Sequence, residues 1–350
     1  MKLSELKYLL SYTIPLVTLI ALLSSGWMTF LVLLFAYGLL PFLELFTPGT
    51  DVNMSTEEEA DAKVNPIFDW MLYMNVPIQY GLIGLYFYNI GFTELSTLEL
   101  VGMTVSMGIC SGVLGINVAH ELGHRHKKHE QLMAQALLLT SGYTHFFVEH
   151  NRGHHKHVST PVDPATSQKG EIIYTFWFRS MIMGYFSAWN IENSRLKRQR
   201  KKVFSWKNQM VRFTVLQLAF AGLITAIVGP IGLPCYILVS FIGGLQLESV
   251  NYIEHYGLMR KEIRPGVYER VQPHHSWNSN HSLGRIILFE LTRHSDHHYL
   301  ASRKYQVLRH FEESPQLPTG YPGMIIVALI PPLWFSIMDK KVAEYELQPA

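Results

Sequence analysis

Histidine is the residue type whose spacing first suggests chemistry in this chain. Histidines recur in four short groups: HELGH at 120–124, HNRGHH at 150–155, the histidine of NYIEHYGL at 251–258, and HSDHH at 294–298. Side chains three or four positions apart lie on one face of a helix, so three of these groups can each direct several imidazoles to one point. The candidate metal ligands are His120, His124, His150, His154, His155, His255, His294, His297 and His298.

The number and type of these donors indicate which metal they would hold. Imidazole serves zinc, copper, iron and nickel, whereas magnesium and calcium call for oxygen ligands. One tetrahedral zinc uses three or four ligands, so nine histidines indicate two metals with four or five ligands each. Two histidine-rich irons fit best, because iron can bind O2 and change its oxidation state. The carboxylates expected to orient imidazole N–H groups are Glu121, Glu149, Glu254 and Asp296.

Two other classes of metal protein remain as alternatives. The first histidine group also matches HExxH, the signature of zinc proteases, in which Glu121 would be the general base. That interpretation leaves the other histidine groups unexplained. A metal transporter would place ionisable residues near the middle of the bilayer, whereas these histidines lie at the ends of apolar stretches. Both alternatives are therefore less favoured than a two-iron enzyme.

Composition indicates the elements that must position these histidines. The chain has 350 residues, of which 48% are hydrophobic and only 16% charged, a ratio typical of membrane proteins. A compact soluble globule is therefore not expected. Apolar stretches long enough to cross a hydrocarbon core about 30 Å thick lie at 8–24, 27–46, 68–90, 98–119, 211–228 and 231–249.

Charge placement predicts how these six spans are oriented. Every Lys and Arg lies outside the three short hairpin tips, so the positive-inside rule places both termini in the cytoplasm. Spans four and six then end near His120 and His255 on the cytoplasmic face. The predicted fold is an all-α integral membrane protein, with six transmembrane helices capped by a cytoplasmic histidine-rich catalytic layer. Its regions are 1–119 (helices one to four), 120–210 (histidine boxes), 211–250 (helices five and six) and 251–350 (histidine boxes and C-terminal segment).

Two further segments receive an interpretation from their composition. The acidic stretch 51–62 is expected to be a cytoplasmic loop between spans two and three. The apolar stretch 321–338 is interrupted by prolines, which break a helix, and is expected to lie at the interface or in the core rather than to span the bilayer.

The longer motifs closely resemble those of one family, the membrane-bound alkane 1-monooxygenases, which are bacterial alkane omega-hydroxylases. The similarity extends over residues 31–341. More distantly, the chain is similar to xylene monooxygenases and to membrane fatty-acyl desaturases and hydroxylases. The motifs that carry the resemblance are HELGH, EHNRGHHKHVSTPVDPATS, NYIEHYGL, HHSWNSNH, RHSDHH and LPTGYPGM.

The resemblance implies a non-haem di-iron enzyme of the bacterial cytoplasmic (inner) membrane. Such an enzyme inserts one oxygen atom of O2 into the terminal methyl group of a medium-chain n-alkane, and the nine histidines would be its iron ligands. No haem, flavin or nucleic acid is expected. Thr292 stands where the family pattern leads us to expect Gln, near the site but not as a ligand.

The same resemblance implies a separate source of electrons. Some family members carry a rubredoxin domain at the C terminus, but no cysteine follows Cys235 in this chain. The two cysteines, Cys110 and Cys235, lie in apolar stretches and cannot build an iron-sulfur or rubredoxin site. A separate rubredoxin, reduced by an NAD(P)H-dependent reductase, is therefore the expected partner.

An alkane offers no polar group to recognise, so the shape of its channel must position it. A straight chain entering from the bilayer would pass among the spans and present only its end to the irons. The small Ala36, between Phe35 and Tyr37 in the second span, is predicted to line this channel and to permit longer chains.

Overall fold

The structure is a computed structural model that describes residues 3–346, and the described chain is mostly helical. It divides into two compact units. The first unit contains the described residues up to Gly38, together with Pro66–Arg152 and Gly184–Leu247. The second unit contains Leu39–Asn65, Gly153–Met183 and the described residues from Glu248 onward.

Helices account for nearly all of the regular structure. In chain order the α-helices are α1 (Leu3–Leu6), α2 (Thr13–Leu23), α3 (Leu31–Leu34), α4 (Leu40–Glu44), α5 (Thr56–Val64), α6 (Pro66–Tyr73), α7 (Asn75–Phe92), α8 (Thr97–Cys110), α9 (Asn117–Gly123), α10 (Lys128–Thr140), α11 (Phe146–Glu149), α12 (His155–His157), α13 (Ile173–Arg198), α14 (Gln209–Val228), α15 (Gly232–His255), α16 (Ser282–Ile287), α17 (His294–Tyr299), α18 (Tyr321–Ala328) and α19 (Pro331–Glu346).

Other helical forms and one small hairpin complete the secondary structure. The π-helical segments are Phe35–Leu39, Ser111–Ile116 and His150–His154, and the 3-10 segments are Lys7–Tyr12, Gly26–Phe30, Pro273–His275 and Tyr305–Val307. Strands β1 (Glu262–Arg264) and β2 (Val267–Tyr268) pair antiparallel, with Glu262 opposite Tyr268.

Four continuous helical stretches in the described chain are long and apolar enough to cross a membrane. They are Gly26–Glu44, Thr97–Gly123, Gln209–Val228 and Gly232–His255, and each overlaps a predicted span. The predicted span at 8–24 corresponds to the shorter apolar helix Lys7–Leu23. A membrane protein is therefore indicated by four of the six predicted spans.

The predicted span at 68–90 is divided into α6 and α7. The division falls at Met74, and the side-chain amide of Asn75 donates to the carbonyl oxygen of Met71 at 2.7 Å. Pro77 follows in the first turn of α7, and proline has no N–H to donate to the preceding turn. The chain therefore forms two helices where hydropathy alone predicts one.

The late apolar stretch is strongly bent. The helices Tyr321–Ala328 and Pro331–Tyr345 meet at 119°, and Pro331 and Pro332 lie at the corner. Neither proline can donate a backbone hydrogen bond to the preceding turn. The bend agrees with the prediction that prolines interrupt the helix of this stretch.

The acidic stretch 51–62 is not all loop, so this expectation was wrong in part. α5 begins at Thr56 behind a capping box, in which the Glu58 backbone N–H donates to the Ser55 hydroxyl and the Ser55 N–H donates to the Glu58 carboxylate at 2.9 Å. Such a box satisfies two backbone groups at the start of a helix. The signal was the spacing of Ser55 and Glu58, three residues apart.

In the first unit, α8, the π segment Ser111–Ile116 and α9 form one buried rod that ends at the first histidine group. α15 packs closely against this rod where the rod has glycine. A Cβ atom at Gly108 would lie 2.6 Å from Ile242, and one at Gly112 would lie 2.6 Å from Gln246. The rod therefore presents the HELGH residues from a tightly fixed support.

In the second unit, the segment after β2 joins the end of α15 to α17. The Trp277 backbone N–H donates to the Glu254 carbonyl oxygen at 2.8 Å, and the Trp277 indole donates to the Tyr256 carbonyl oxygen at 2.9 Å. The backbone N–H of Ser295, in α17, donates to the Asn278 side chain at 2.8 Å. These bonds hold the third and fourth histidine groups beside each other.

Candidate metal centre

Four histidines of the second unit direct their Nε2 atoms to one point. His154 ends a π segment, His255 ends α15, and His294 and His298 lie one turn apart on α17. The Nε2 atoms of His154 and His298 are 3.2 Å apart, those of His255 and His294 are 3.2 Å apart, and those of His294 and His298 are 2.8 Å apart. All four ligand atoms lie within 4.8 Å of one another. We call this set the four-histidine cluster.

Asp163 decides which nitrogen of His154 carries the proton. Its Oδ2 lies 2.9 Å from Nδ1 of His154, and both side chains are buried. Burial alone would raise the pKa of Asp163, but the neighbouring imidazole brings that pKa below its ordinary value. An ionised carboxylate only accepts hydrogen bonds, so Nδ1 holds a proton, and in the neutral imidazole that a metal requires Nε2 keeps its lone pair.

Glu254 faces the same point as the ring nitrogens. Its Oε2 lies 3.2 Å from Nε2 of His294, and its Oε1 accepts a hydrogen bond from the Tyr321 hydroxyl at 2.7 Å. The carboxylate therefore meets the nitrogen of His294 that faces the cluster, rather than Nδ1 at the back of the ring. This position suits an oxygen ligand better than a group that only orients the imidazole.

Burial favours the neutral form of the imidazoles of the cluster. Their exposed fractions are between 0% and 4%. Burial, together with the neighbouring imidazoles, lowers the pKa of His298 well below its ordinary value. Metal binding requires the neutral imidazole. Four neutral nitrogen donors at hydrogen-bonding distance are a suitable donor set for a transition-metal ion such as iron.

The first unit brings together a second set of histidines. His120 lies on α9, His124 directly follows it, and His150 begins the π segment after α11. The Nε2 atoms of His124 and His150 are 3.0 Å apart, and the ring centres of His120 and His150 are 4.4 Å apart. The ring of Phe146 stacks on His150 at 4.6 Å and limits its rotation.

The two remaining predicted ligands form a pair in the second unit. The Nε2 atoms of His155 and His297 are 3.0 Å apart. Each of the nine histidines predicted from spacing thus has at least one other predicted ligand of its own unit beside it.

The other predicted carboxylates have different neighbours. Glu121 forms an ion pair with Arg125 at 2.6 Å, and both side chains are nearly buried. Glu149 lies 3.4 Å from the Ser187 hydroxyl. Asp296 accepts from the Arg303 guanidinium at 2.7 Å, and burial raises the pKa of this carboxyl. A role for these three in orienting imidazoles stays a prediction.

The ion pair of Glu121 bears on the zinc-protease alternative. A general base needs its carboxylate within hydrogen-bonding reach of the attacking water. Here Arg125 holds that carboxylate, which would have to leave a buried ion pair before it could accept a proton. The geometry therefore does not favour a protease.

A third group of candidate ligands, Glu269, His274 and His275, also lies in the second unit. Nδ1 of His275 accepts the backbone N–H of Gln272 at 2.9 Å, so its proton resides on Nε2. That Nε2 lies 3.3 Å from a carboxylate oxygen of Glu269. Both ring nitrogens of His275 are thus engaged, and this group is better described as a hydrogen-bonded hairpin support than as a metal site.

Two residues near the four-histidine cluster were not predicted from spacing: Asp163, which contacts His154, and Tyr321, which contacts Glu254. Asp163 lies nine residues after His154, inside the long second motif, and Tyr321 lies in LPTGYPGM. Each of these residues contacts a partner that does not lie one helical turn away in the same helix. Helical periodicity therefore could not identify Asp163 or Tyr321. Their presence within the longest shared motifs was the available signal.

The predicted channel residue lies in the first unit. Ala36 is buried in the π segment Phe35–Leu39. Its neighbour Tyr37 donates a hydrogen bond from its hydroxyl to the side chain of Gln246, on α15. This contact joins the π segment to α15.

Comparison with known proteins identifies the family. The family model for fatty acid desaturases matches residues 96–328. The chain is 41% identical over 324 residues to an alkane 1-monooxygenase of Ectopseudomonas oleovorans, covering 92% of this chain and 80% of the relative. It is 40% identical over 339 residues to alkane 1-monooxygenase 1 of Alcanivorax borkumensis, covering 95% and 82%. This chain belongs to the alkane 1-monooxygenase family.

The resemblance predicted from the motifs is thereby confirmed. The chain is also similar to a relative of another name, the xylene/toluene monooxygenase hydroxylase component of Pseudomonas putida. This protein is 32% identical to the chain over 283 residues, covering 79% of the chain and 75% of the relative. The chain is therefore more similar in sequence to the alkane 1-monooxygenases than to the xylene/toluene component.

Proposed function

We propose that this protein is a membrane monooxygenase that uses O2 to hydroxylate the terminal methyl group of medium-chain n-alkanes. The observation that carries the proposal is the four-histidine cluster, whose buried neutral nitrogens converge in a chain about 40% identical to alkane 1-monooxygenases. A histidine-box enzyme acting on xylenes or fatty-acyl chains is the alternative.

The nine histidines are proposed to hold two iron ions, one of them at the four-histidine cluster. An unactivated C–H bond gives a general acid, base or nucleophile nothing to act on. Bound iron supplies the oxygen-activating redox chemistry that amino-acid side chains lack.

The chain's own residues prepare and protect this site. Asp163 keeps the proton on Nδ1 of His154, and Tyr321 donates to one oxygen of Glu254 and so orients the other toward the cluster. Burial excludes water, which strengthens the electrostatic interactions of the ligands. The apolar helices are proposed to hold the alkane by shape, with Ala36 beside its path.

The proposed setting is the bacterial inner membrane, with six spans and with both termini and the histidines on the cytoplasmic side. Residues 1–119 and 211–250 would provide the spans, and residues 120–210 and 251–350 the catalytic layer. Electrons would come from a separate rubredoxin with its NAD(P)H-dependent reductase. Lys and Arg placement supports this orientation.

The test is an assay of the purified full-length protein in lipid, supplied with n-octane, O2, rubredoxin and reductase. We expect 1-octanol as the product and two irons per chain. Omission of O2 or of rubredoxin should remove the product. Formation of hydroxylated xylene but no octanol would favour the alternative, and activity with zinc in place of iron would contradict the proposal.

Histidine variants refine the same test. Alanine at any of the nine positions, for example His255→Ala, should abolish hydroxylation and lower bound iron. The matched control is His126→Ala, which removes an exposed histidine outside these groups. Full activity of the His255 variant would show that this histidine is not a ligand.

A further inference from the structure

The last turn of α13 and the loop that joins it to α14 combine dense positive charge with exposed aromatic rings. Residues 195–207 contain seven Lys and Arg residues and no Asp or Glu. The segment ends two positions before Gln209, where a helix long and apolar enough to span a membrane begins. We call residues 195–207 the basic segment.

Internal hydrogen bonds fix the shape of this segment. The buried Glu192 accepts from Arg195 at 2.8 Å and from the backbone N–H of Gln209 at 3.0 Å, which ties the two ends together. The side chain of Asn208 donates to the carbonyl oxygen of Val203 at 3.0 Å. The basic segment is therefore a folded turn, and its outward side chains project from a defined surface.

That surface carries two types of side chain. Phe204 is 85% exposed and Trp206 is 62% exposed. Large aromatic rings so exposed beside one another are uncommon on a surface in water, whereas tryptophan is enriched where a membrane meets water. The exposed basic residues around them are Lys197, Arg198, Arg200, Lys201, Lys202 and Lys207.

The helix that leads into the basic segment, α13, has an exposed apolar face of its own. On α13, Phe178, Ile182, Tyr185 and Phe186 are all exposed, and their spacing of three or four residues places them on one face. A helix with one exposed apolar face and a basic end is typical of segments that lie in the plane of a membrane interface.

We propose that the basic segment binds the headgroups of anionic phospholipids, with Phe204 and Trp206 inserted at the boundary with the acyl chains. Charge complementarity supports this partner, because six exposed cations directly precede a candidate span, while the seventh, Arg195, is paired with the buried Glu192. Basic clusters adjoining transmembrane helices attract anionic lipid in this way. The proposal does not depend on the substrate of the enzyme.

Position distinguishes a lipid surface from an acidic protein as the partner. Trp206 lies three residues before Gln209, so the chain's reach of at most about 3.6 Å per residue keeps its backbone within about 11 Å of the start of α14. A ring at that place meets the bilayer interface if α14 spans the membrane. An acidic protein would use the charges but would not require the rings to contact acyl chains.

The experiment titrates dioleoyl-phosphatidylglycerol, with dioleoyl-phosphatidylcholine as the neutral comparison, into the full-length protein in mild detergent. The melting midpoint is the readout. We expect a larger stabilisation by phosphatidylglycerol, with Lys201→Gln/Lys202→Gln raising its half-maximal concentration at least tenfold. Lys127→Gln/Lys128→Gln is the matched control, since it neutralises another adjacent pair of exposed lysines, at the start of α10.

The aromatic part is tested separately in nanodiscs with lipids brominated on their acyl chains. The fluorescence lost on Trp206→Phe substitution gives the contribution of Trp206, and we expect brominated lipid to quench it. Lys201→Arg/Lys202→Arg keeps both positive charges and should retain the lipid preference. This variant tests the proposal if the glutamine variant misfolds. The proposal would be overturned if both lipids stabilised the protein equally, or if the Lys127/Lys128 variant lost as much affinity as the Lys201/Lys202 variant. Absence of quenching of Trp206 would also overturn it. A raised KM for the electron donor with unchanged lipid preference would identify a protein-docking surface instead.

Discussion

At the scale of single residues, one carboxylate determines whether His154 can act as a ligand. Asp163 faces Nδ1 and so leaves the lone pair on Nε2, which lies 3.2 Å from Nε2 of His298. Partners behind a ligating histidine commonly change metal affinity or activity 10- to 100-fold when they are replaced. The buried pair of Asp163 and His154 is therefore expected to be as important as a ligand.

Asp163→Asn tests this role directly. The amide can donate to Nδ1, which would place the imidazole proton on Nε2 and block ligation. We expect iron content and hydroxylation to fall about 10- to 100-fold, measured by metal analysis and product formation. Asp51→Asn, at an exposed position, is the control. Normal iron content in the Asp163 variant would contradict the assigned tautomer.

Ala36 provides a second prediction at this scale. Ala36→Trp adds bulk at a buried position beside Tyr37. If Ala36 borders the alkane path, the product profile across n-alkanes of increasing length should shift toward shorter chains. Gas chromatography of the alcohols measures the profile. An unchanged profile with normal activity would dismiss the assignment of Ala36.

At the scale of elements, the π segment Ser111–Ile116 decides which way the first histidine group faces. A π turn adds a residue to the helix, so residues beyond it are rotated by about 100° relative to an uninterrupted α-helix. His120 and His124 follow this segment on the same rod. Close contacts hold the segment, since a Cβ atom at Gly115 would lie 2.1 Å from the Ser141 hydroxyl oxygen.

This contact yields a double-mutant prediction. Gly115→Ala should lower the melting midpoint and the iron content, because overpacking a fixed contact costs about 1–3 kcal/mol. Ser141→Ala removes the clashing oxygen, so the double variant should recover most of the loss. Gly81→Ala, where a Cβ atom meets nothing within 4 Å, is the control. Additive losses in the double variant would show that the contact is not limiting.

The short helix α5 gives a prediction that depends on pH. Glu59 accepts hydrogen bonds from Arg309 at 2.5 and 2.8 Å, which lowers the pKa of the Glu59 carboxyl. A lowered pKa stabilises the fold above the ordinary glutamate value of about 4.3 and ceases to do so as pH falls through the lowered value. Glu59→Gln should therefore lower the free energy of unfolding by about 1 kcal/mol near pH 7 and leave it unchanged at the acid end of the range. Melting midpoints of both proteins, measured across pH, check this difference. A difference that persists in acid would contradict an ionic origin.

Sequence spacing predicted local features better than contacts between distant segments. The approach of the histidines within HELGH and within HSDHH was predictable because side chains one helical turn apart share a face. The break at Met74 and helix α5 depended on Pro77 and on the Ser55 capping box, which hydropathy does not register. The role of Asp163 depends on a chain reversal after His154, and no periodicity encodes such a turn.

At the scale of the whole molecule, the orientation in the membrane is a prediction that labelling can test. Cys110 and Cys235 are both buried, so a maleimide should label them little and the labelling of a single introduced cysteine can be measured directly. A cysteine replacing Glu94 should react with an impermeant maleimide in intact cells, and one replacing Lys128 only after lysis. Labelling of both from outside would contradict the cytoplasmic placement of the first histidine group.

The four-histidine cluster also has a consequence for biosynthesis. His154 and His298 are 144 residues apart in the chain, and His255 and His294 lie between them. At 5–20 residues per second, about 7 to 30 s separate the synthesis of the first and last ligands. During that interval α14 and α15 are synthesised while His154 still lacks the other three histidines of the cluster. The four imidazoles can therefore come together only after most of the chain has been made, so a metal held by all four would be added late in the life of each molecule.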